Sequence, residues 1–201
     1  EGPVVDDINH EFKTAWGRAG FFGDFSYLYT WVRESDNADL DGYPVRLIHT
    51  RPAAHEIYEL QRKAIKRARR YIYIENAYFT DDTLLRDLIS ARERGVDVRV
   101  IIPLETDRGI ITRNIIVAAN TLLVRGGRVY ISPGFSHAKA AVFDGWATLG
   151  SANLDRLSLH INREINIATS EPEAVDALLA SLFEPDFEKS SELLTPFSER
   201  W

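Results

Sequence analysis

The sequence contains no cysteine and no methionine in 201 residues, and no apolar run approaches the ~18 residues of a membrane-spanning helix. Without cysteine there is no disulfide, no thiolate nucleophile and no zinc–thiolate site, and the redox compartment stays open. The missing methionine is the unusual feature, because ordinary usage would place several in a chain of this length. If methionines were replaced by a modified residue that the sequence omits, some spacings are short by one. Nothing at the start reads as a signal peptide. A chain that begins on Glu1 is expected to be a piece of a longer protein, with any membrane anchor in the part that precedes it. Positive charge is in deficit: the net charge is −6 and the pI about 5.4, so the surface as a whole is no trap for polyanions. That weakens the case for nucleic acid as a partner. With 45% hydrophobic and 27% charged residues, the composition is that of an ordinary globular chain long enough to bury a core.

Pro3, followed by Val4, Val5, Ile8, Phe12 and Trp16 on one face, predicts an amphipathic helix over 3–17. Residues 18–44 show no period, first aromatic and then acidic, and read as a linker or loop. From Pro44 the chain alternates. VRLIHT (45–50), YIYIE (71–75), VDVRVII (96–102) and RVYIS (128–132) read as strands, separated by helices at 53–70, at about 82–94 behind a Thr80 or Asp81 cap, and at 110–124. Such alternation predicts crossovers onto a parallel sheet. AKAAVF (138–143) and WATLG (146–150), joined across Asp144-Gly145, predict an antiparallel hairpin. REINIAT (163–169) is a final strand, with a closing helix at 173–184. The expected architecture is α/β: a mixed, largely parallel sheet with helices on both faces.

The chemistry concentrates in His137–Glu164. His137 and Lys139 stand two apart in a strand, so imidazole and ammonium project to one face. Asp144 lies past the strand's far end, in a place suited to holding the hairpin. Gly150-Ser151-Ala152-Asn153 brings the chain back to the end where His137 begins, and small residues there let amides and polar side chains approach a phosphate oxygen. Glu164 opens the next strand, where a carboxylate can fix an imidazole tautomer. A histidine, a cation, an amide and a carboxylate in that order suit phosphoryl transfer without a metal. Each residue alone is bland, as are His10, His49, His55 and His160. No cofactor is expected. Arg113, at the start of a helix, is a candidate phosphate or headgroup contact. Asn76, Tyr78, Phe79, Glu105 and Arg108 are expected near the sheet's carboxyl edge, where open α/β sheets bind ligands.

The segment resembles the His-x-Lys-x4-Asp motif of the phospholipase D superfamily, followed in that family by about six residues, Gly-Ser, an Asn and a downstream acid. Here five residues, Gly145 to Leu149, separate Asp144 from Gly150. YIYIENAYFTDDTLLRDLISARERGVDVRVIIP resembles the stretch before the motif in the second half of bacterial cardiolipin synthases, and EGPVVDDINHEFKTAW the segment that closes their first half. The resemblance divides the chain into 1–44, the end of a preceding repeat with a linker, and 45–201, one phospholipase D-like repeat.

That resemblance implies a two-step cleavage through phosphohistidine, with a second motif supplied by a missing half or a homodimer copy. It gives His137 the role of nucleophile or of acid and base. Lys139, Asn153 and Ser151 would hold the phosphate oxygens, Glu164 would orient the imidazole, and Asp144, Gly150, Tyr78 and Arg113 complete the candidate set. The implied substrate is a phosphatidylglycerol-like phospholipid at the bacterial cytoplasmic membrane. The alternatives are a homodimeric nuclease and a non-catalytic association domain.

Overall fold

A computed structural model describes residues 3–18, 45–51, 53–104 and 109–198, in two compact units, Glu1–Leu47 and Ile48–Trp201. In the first, α1 (Pro3–Arg18) stacks Phe12 on Trp16 with ring centroids 5.9 Å apart, the contact that an i,i+4 spacing provides. The aromatic and acidic stretch expected over 18–44 lies, from residue 19 on, outside the described residues.

The sheet, which belongs to the second unit from Ile48 on, has the order β2-β1-β8-β7-β6-β3-β4-β5-β9. Its strands are β1 (Val45–Arg51), β2 (Ala54–His55), β3 (Tyr71–Asn76), β4 (Asp97–Ile102), β5 (Arg128–Ile131), β6 (Lys139–Phe143), β7 (Trp146–Gly150), β8 (Glu164–Thr169) and β9 (Ser191–Glu192). The sheet is mixed, as expected, but the expectation of a largely parallel one is corrected. Among the described residues, β3–β4 and β4–β5 are parallel. The pairs β1–β2, β3–β6, β5–β9, β6–β7 and β7–β8 are antiparallel. The physical reason is where β6 inserts. It pairs antiparallel with β3 on the side away from β4, and the two-residue connection at Asp144-Gly145 can only fold β7 back along β6.

The helices cover both faces. On one, α2 (Glu56–Arg67), α3 (Asp82–Glu93) and α4 (Gly109–Val124) bury Ile57, Ile65, Leu84, Leu88, Ile115 and Leu122 against Ile72, Ile74, Val98 and Val100. Asp81 caps α3 by accepting from Thr83 N–H and Leu84 N–H at 3.0 and 2.8 Å, and Gly95 takes φ +93° beyond its end, where any other residue would be strained. The short α5 (Arg156–His160) adds Leu159 to this core. On the opposite face α6 (Pro172–Leu178), a wider turn over Leu179–Phe183 and α7 (Glu184–Lys189) cover Ile101, Ala140 and Val142 with Val175, Phe183 and Phe187. Strands β3 and β6 are therefore buried on both sides.

Candidate active site

One end of the sheet gathers the start of β6, the end of β7, the start of β8 and the end of β3. Lys139 stands opposite Asn76, and Gly150 opposite Asn166. Gly150 is required by this crowding: a Cβ there would press on the Ile165 carbonyl oxygen and lie 2.5 Å from Asn166 Cα.

Lys139 is buried at 8% exposure, and Nζ donates to the His137 carbonyl oxygen at 3.0 Å. Of the three donors an ammonium carries, that bond uses one. Burial pulls the Lys139 pKa below its ordinary value, and the nearby charges of Glu164 and Asp155 act the other way. A desolvated cation with unused donors is suited to an incoming anion. His137 is exposed, its ring leaning on Phe135 at 5.7 Å between centroids, and no hydrogen bond occupies its imidazole among the described residues. Asn153 is half-buried, and its buried Oδ1 has no partner. His137, Lys139 and Asn153 thus belong to one end of the sheet with side-chain groups left unused.

The other candidates are otherwise engaged. Ser151 Oγ donates to Glu164 Oε2 at 2.6 Å and accepts from Ile165 N–H at 3.0 Å. Glu164 receives Ser151 and, at 3.3 Å, Asn162 Nδ2, and its carboxylate makes no hydrogen bond to His137. The β7–β8 register carries Ser151, which follows Gly150, across from Ile165, one residue from Glu164, and the hydroxyl is within reach of that carboxylate. Asp144 is not brought to the others. It sits at the far end of β6, roughly 20 Å along the chain from His137, with φ +53°. Its carboxylate accepts from Arg69, Arg70 and Tyr71 N–H at 2.8, 3.0 and 2.9 Å. Burial pushes its pKa up, but those three amides outweigh burial and hold it below the usual range. Tyr78 packs against the core, Phe79 is buried within it, and Arg113 is exposed on α4. Glu105 and Arg108 lie outside the described residues.

Four residues escape the motif. Asn166, buried, accepts from Ala152 N–H and donates to Thr148 Oγ1, both at 3.2 Å, which fixes the turn before Asn153. Asn76 Oδ1 accepts from Tyr78 N–H and Leu154 N–H at 3.0 and 3.1 Å, and Asp155 caps α5 through Ser158 N–H at 2.9 Å. Glu75 is treated below. Asn166, Asn76 and Glu75 each interrupt or end an apolar strand run, a readable sign of a buried polar tie.

A mixed sheet with helices on both faces, carrying His-x-Lys and a Gly-Ser-x-Asn turn at one sheet end, defines a phospholipase D-like repeat. Solved structures agree on the fold. The phospholipase D family member Nuc from Salmonella typhimurium superposes with a TM-score of 0.65 at 22% identity, covering 74% of this chain and 97% of that one. The phosphatidylserine synthase of Haemophilus influenzae gives 0.65 at 13% identity over 86% of this chain and 47% of that one. More narrowly, the family profile described as cardiolipin synthase, PLD-like domain matches residues 62–186, and the chain belongs to that family. A cardiolipin synthase of Listeria monocytogenes is 37% identical over 134 residues, 65% of this chain and 28% of its own length. Cardiolipin synthase 1 of Staphylococcus aureus is 27% identical over 198 residues, 96% of this chain and 40% of its own. The chain spans well under half the length of these relatives.

Proposed function

We propose that this chain supplies one half of a two-histidine site that transfers a phosphatidyl group, as in a cardiolipin synthase. The observation that carries the reading is the unused imidazole of His137 beside the desolvated, half-committed Lys139 and the unpaired carboxamide of Asn153. A phosphodiester seated there meets a cation and an amide at its non-bridging oxygens, so charge developing on phosphorus is neutralised where water is scarce. One histidine attacks phosphorus, the P–N bond forms as the P–O bond to the leaving alcohol breaks, and a second histidine protonates that alcohol. The second histidine then takes the proton of an acceptor alcohol, which attacks phosphorus and releases the first. His137 is one of the pair, and the other comes from a second motif in the same full chain or from a second copy. The substrate is a phosphatidylglycerol-like lipid met at a membrane surface. Among the described residues no helix is long and apolar enough to cross a membrane.

The test is turnover by the full-length protein of phosphatidylglycerol vesicles against plasmid DNA, with wild type and His137→Asn. Lipid turnover that falls by about 10³-fold or more in the variant supports the proposal. DNA cleavage without lipid turnover would replace it with the nuclease reading, and lipid turnover unaffected by the substitution would make the motif a relic.

A further inference from the structure

The buried carboxyl group of Glu75 has no place in the chemistry above. Glu75 is 2% exposed, in the middle of the sheet on the face turned away from Lys139. Its Oε1 accepts a short hydrogen bond from Ser136 Oγ. Its Oε2 is buried with no conventional partner. A pocket of about 220 Å³ separates β3 from α7, lined by Glu75, Phe135, Ser136, Asp186, Lys189 and Ser190 among others. Two carboxyl groups, the buried Glu75 and the partly exposed Asp186, therefore line one half-open pocket. Among the described residues lining the pocket the cation is Lys189, exposed and 3.4 Å from Asp186. From the strands beside Glu75 come only Ile101 and Ala140.

Ser136 is the residue before His137, and its hydroxyl does two things. It donates to Glu75, and it accepts from Ala138 N–H at 3.3 Å, so it grips the main chain on both sides of the histidine. From the other face of the strand Lys139 holds the His137 carbonyl. We propose that Glu75 and Asp186 share one proton, and that this pair fixes Ser136 and through it the His137 main chain, tying the C-terminal helix α7 to the catalytic loop. The neutral acid explains the orphan oxygen: as an O–H, Oε2 donates to Asp186 while Oε1 goes on accepting from Ser136. Burial is the largest effect and pushes the Glu75 pKa up; the Ser136 hydrogen bond comes next and pulls it down, the charge and hydrogen bond of Asp186 raise it, Lys189 lowers it, and the net shift is upward. Glu75 is a positioning residue; it touches neither substrate nor reacting atoms. As pH rises through its elevated value the pair loses its proton, the buried Glu75 carboxylate and the partly exposed one of Asp186 repel, and the grip on Ser136 loosens.

This inference rests on the proposed phosphatidyl transfer for its kinetic half and stands apart from it for its spectroscopic half. The full-length protein is compared as wild type, Glu75→Gln, Glu75→Ala and Ser136→Ala. The wild-type minus Glu75→Gln infrared difference spectrum at neutral pH is expected to show the carbonyl stretch of an un-ionised carboxylic acid; carboxylate bands alone would overturn the shared proton. Glutamine reproduces the neutral acid, with an N–H for Asp186 and a C=O for Ser136. Glu75→Gln is expected to keep kcat and to lose only the part of the alkaline decline that deprotonation of Glu75 adds to that of the acid histidine. Ser136→Ala and Glu75→Ala should lose on the order of 10²-fold in kcat with little change in KM, the cost of a loosely held reacting group. The His137 ring signals in the NMR spectrum should move in both alanine variants and stay in place in Glu75→Gln. Unmoved His137 signals in Ser136→Ala would overturn the positioning role, and this readout decides it even if no lipid is turned over. If Glu75→Ala does not fold, Ser136→Ala carries the comparison alone.

Discussion

Replacing Asp144 by Asn separates a carboxylate that holds the fold from one that takes part in the reaction. In the folded chain one Asp144 oxygen accepts from Arg70 N–H and Tyr71 N–H and the other from Arg69 N–H. An amide keeps a single acceptor oxygen and presents an NH₂ where the second stood, so at least one backbone donor then faces another donor. Hydrogen bonds to a charged acceptor contribute ~1.5–3 kcal/mol each. Water reaches the partly exposed Arg69 and Arg70 amides and recovers part of that loss, which leaves a destabilisation of about 1–3 kcal/mol. Asn tolerates the left-handed backbone at this position, so the turn itself survives. The assay is urea unfolding at pH 7, where an m-value of roughly 2 kcal/mol/M converts the loss into a midpoint shift of about 0.5–1.5 M. The dependence on pH supplies a second check. Because the folded pKa of Asp144 is depressed, its stabilisation is present above the unfolded value of about 3.9 and is lost as pH falls through the folded value. The gap between wild type and variant should therefore be level at neutral pH and close in acid, with kcat per folded molecule unchanged. An unshifted midpoint together with a kcat reduced by ~10²-fold or more, the range of a lost acid–base group, would refute the reasoning and return Asp144 to the chemistry.

Lys139→Met should reduce turnover by about 10²–10³-fold without lowering the thermal midpoint, because burial already disfavours the charged form; a lower midpoint with full turnover would make Lys139 structural. Gly150→Ala forces β7 and β8 apart at Asn166 and should cost about 1–3 kcal/mol, together with activity, since Ser151 and Asn153 follow directly; a wild-type melting curve would show that the strands can give. Burial, and then the neighbouring His55, hold His160 below its ordinary pKa, so folding favours its neutral form. Stability linked to His160 is full above about pH 6.5 and declines as pH falls through that value. His160→Gln should flatten that decline, and an unchanged pH–stability curve would count against the pair.

The repeating helix-and-strand pattern from Pro44 to Ser132 was readable because each element buries one face with its own period. Strands β3, β4 and β5, the cap at Asp81 and the stop at Gly95 all follow from residues local to them. The direction of the sheet was not readable in the same way. Nothing within residues 138–143 records that β6 pairs antiparallel with β3, which is where the parallel run of β3, β4 and β5 stops. Strands β2 and β9 and helix α5 are too short to carry a period. At the site, the types and order of His137, Lys139 and Asn153 were legible, as was the placing of Asp144 beyond the strand. The hydrogen-bond partner of Glu164 was not, because either His137 or Ser151 is compatible with its position in sequence and only the β7–β8 register chooses between them. Glu75 shows the same limit: its charge stands out against YIYI, but Asp186, the carboxyl it faces, lies more than a hundred residues away.

The contrast between the two halves of the sheet also bears on how the molecule acquires its shape. Strands β6 and β7 follow one another across the two-residue turn Asp144-Gly145 and β7 and β8 across 13 residues, whereas β3, β4 and β5 are separated by longer connections, each with a helix of three turns or more. Contacts close in sequence form sooner than contacts across long loops. The three-strand segment that bears His137, Lys139 and Asn153 is therefore placed to assemble early and offer its β6 edge to β3. Asp144, gripping the amides that lead into β3, then acts as a latch between a fast-forming part of the chain and a slow one, and its loss should show in the rate of folding as well as in final stability.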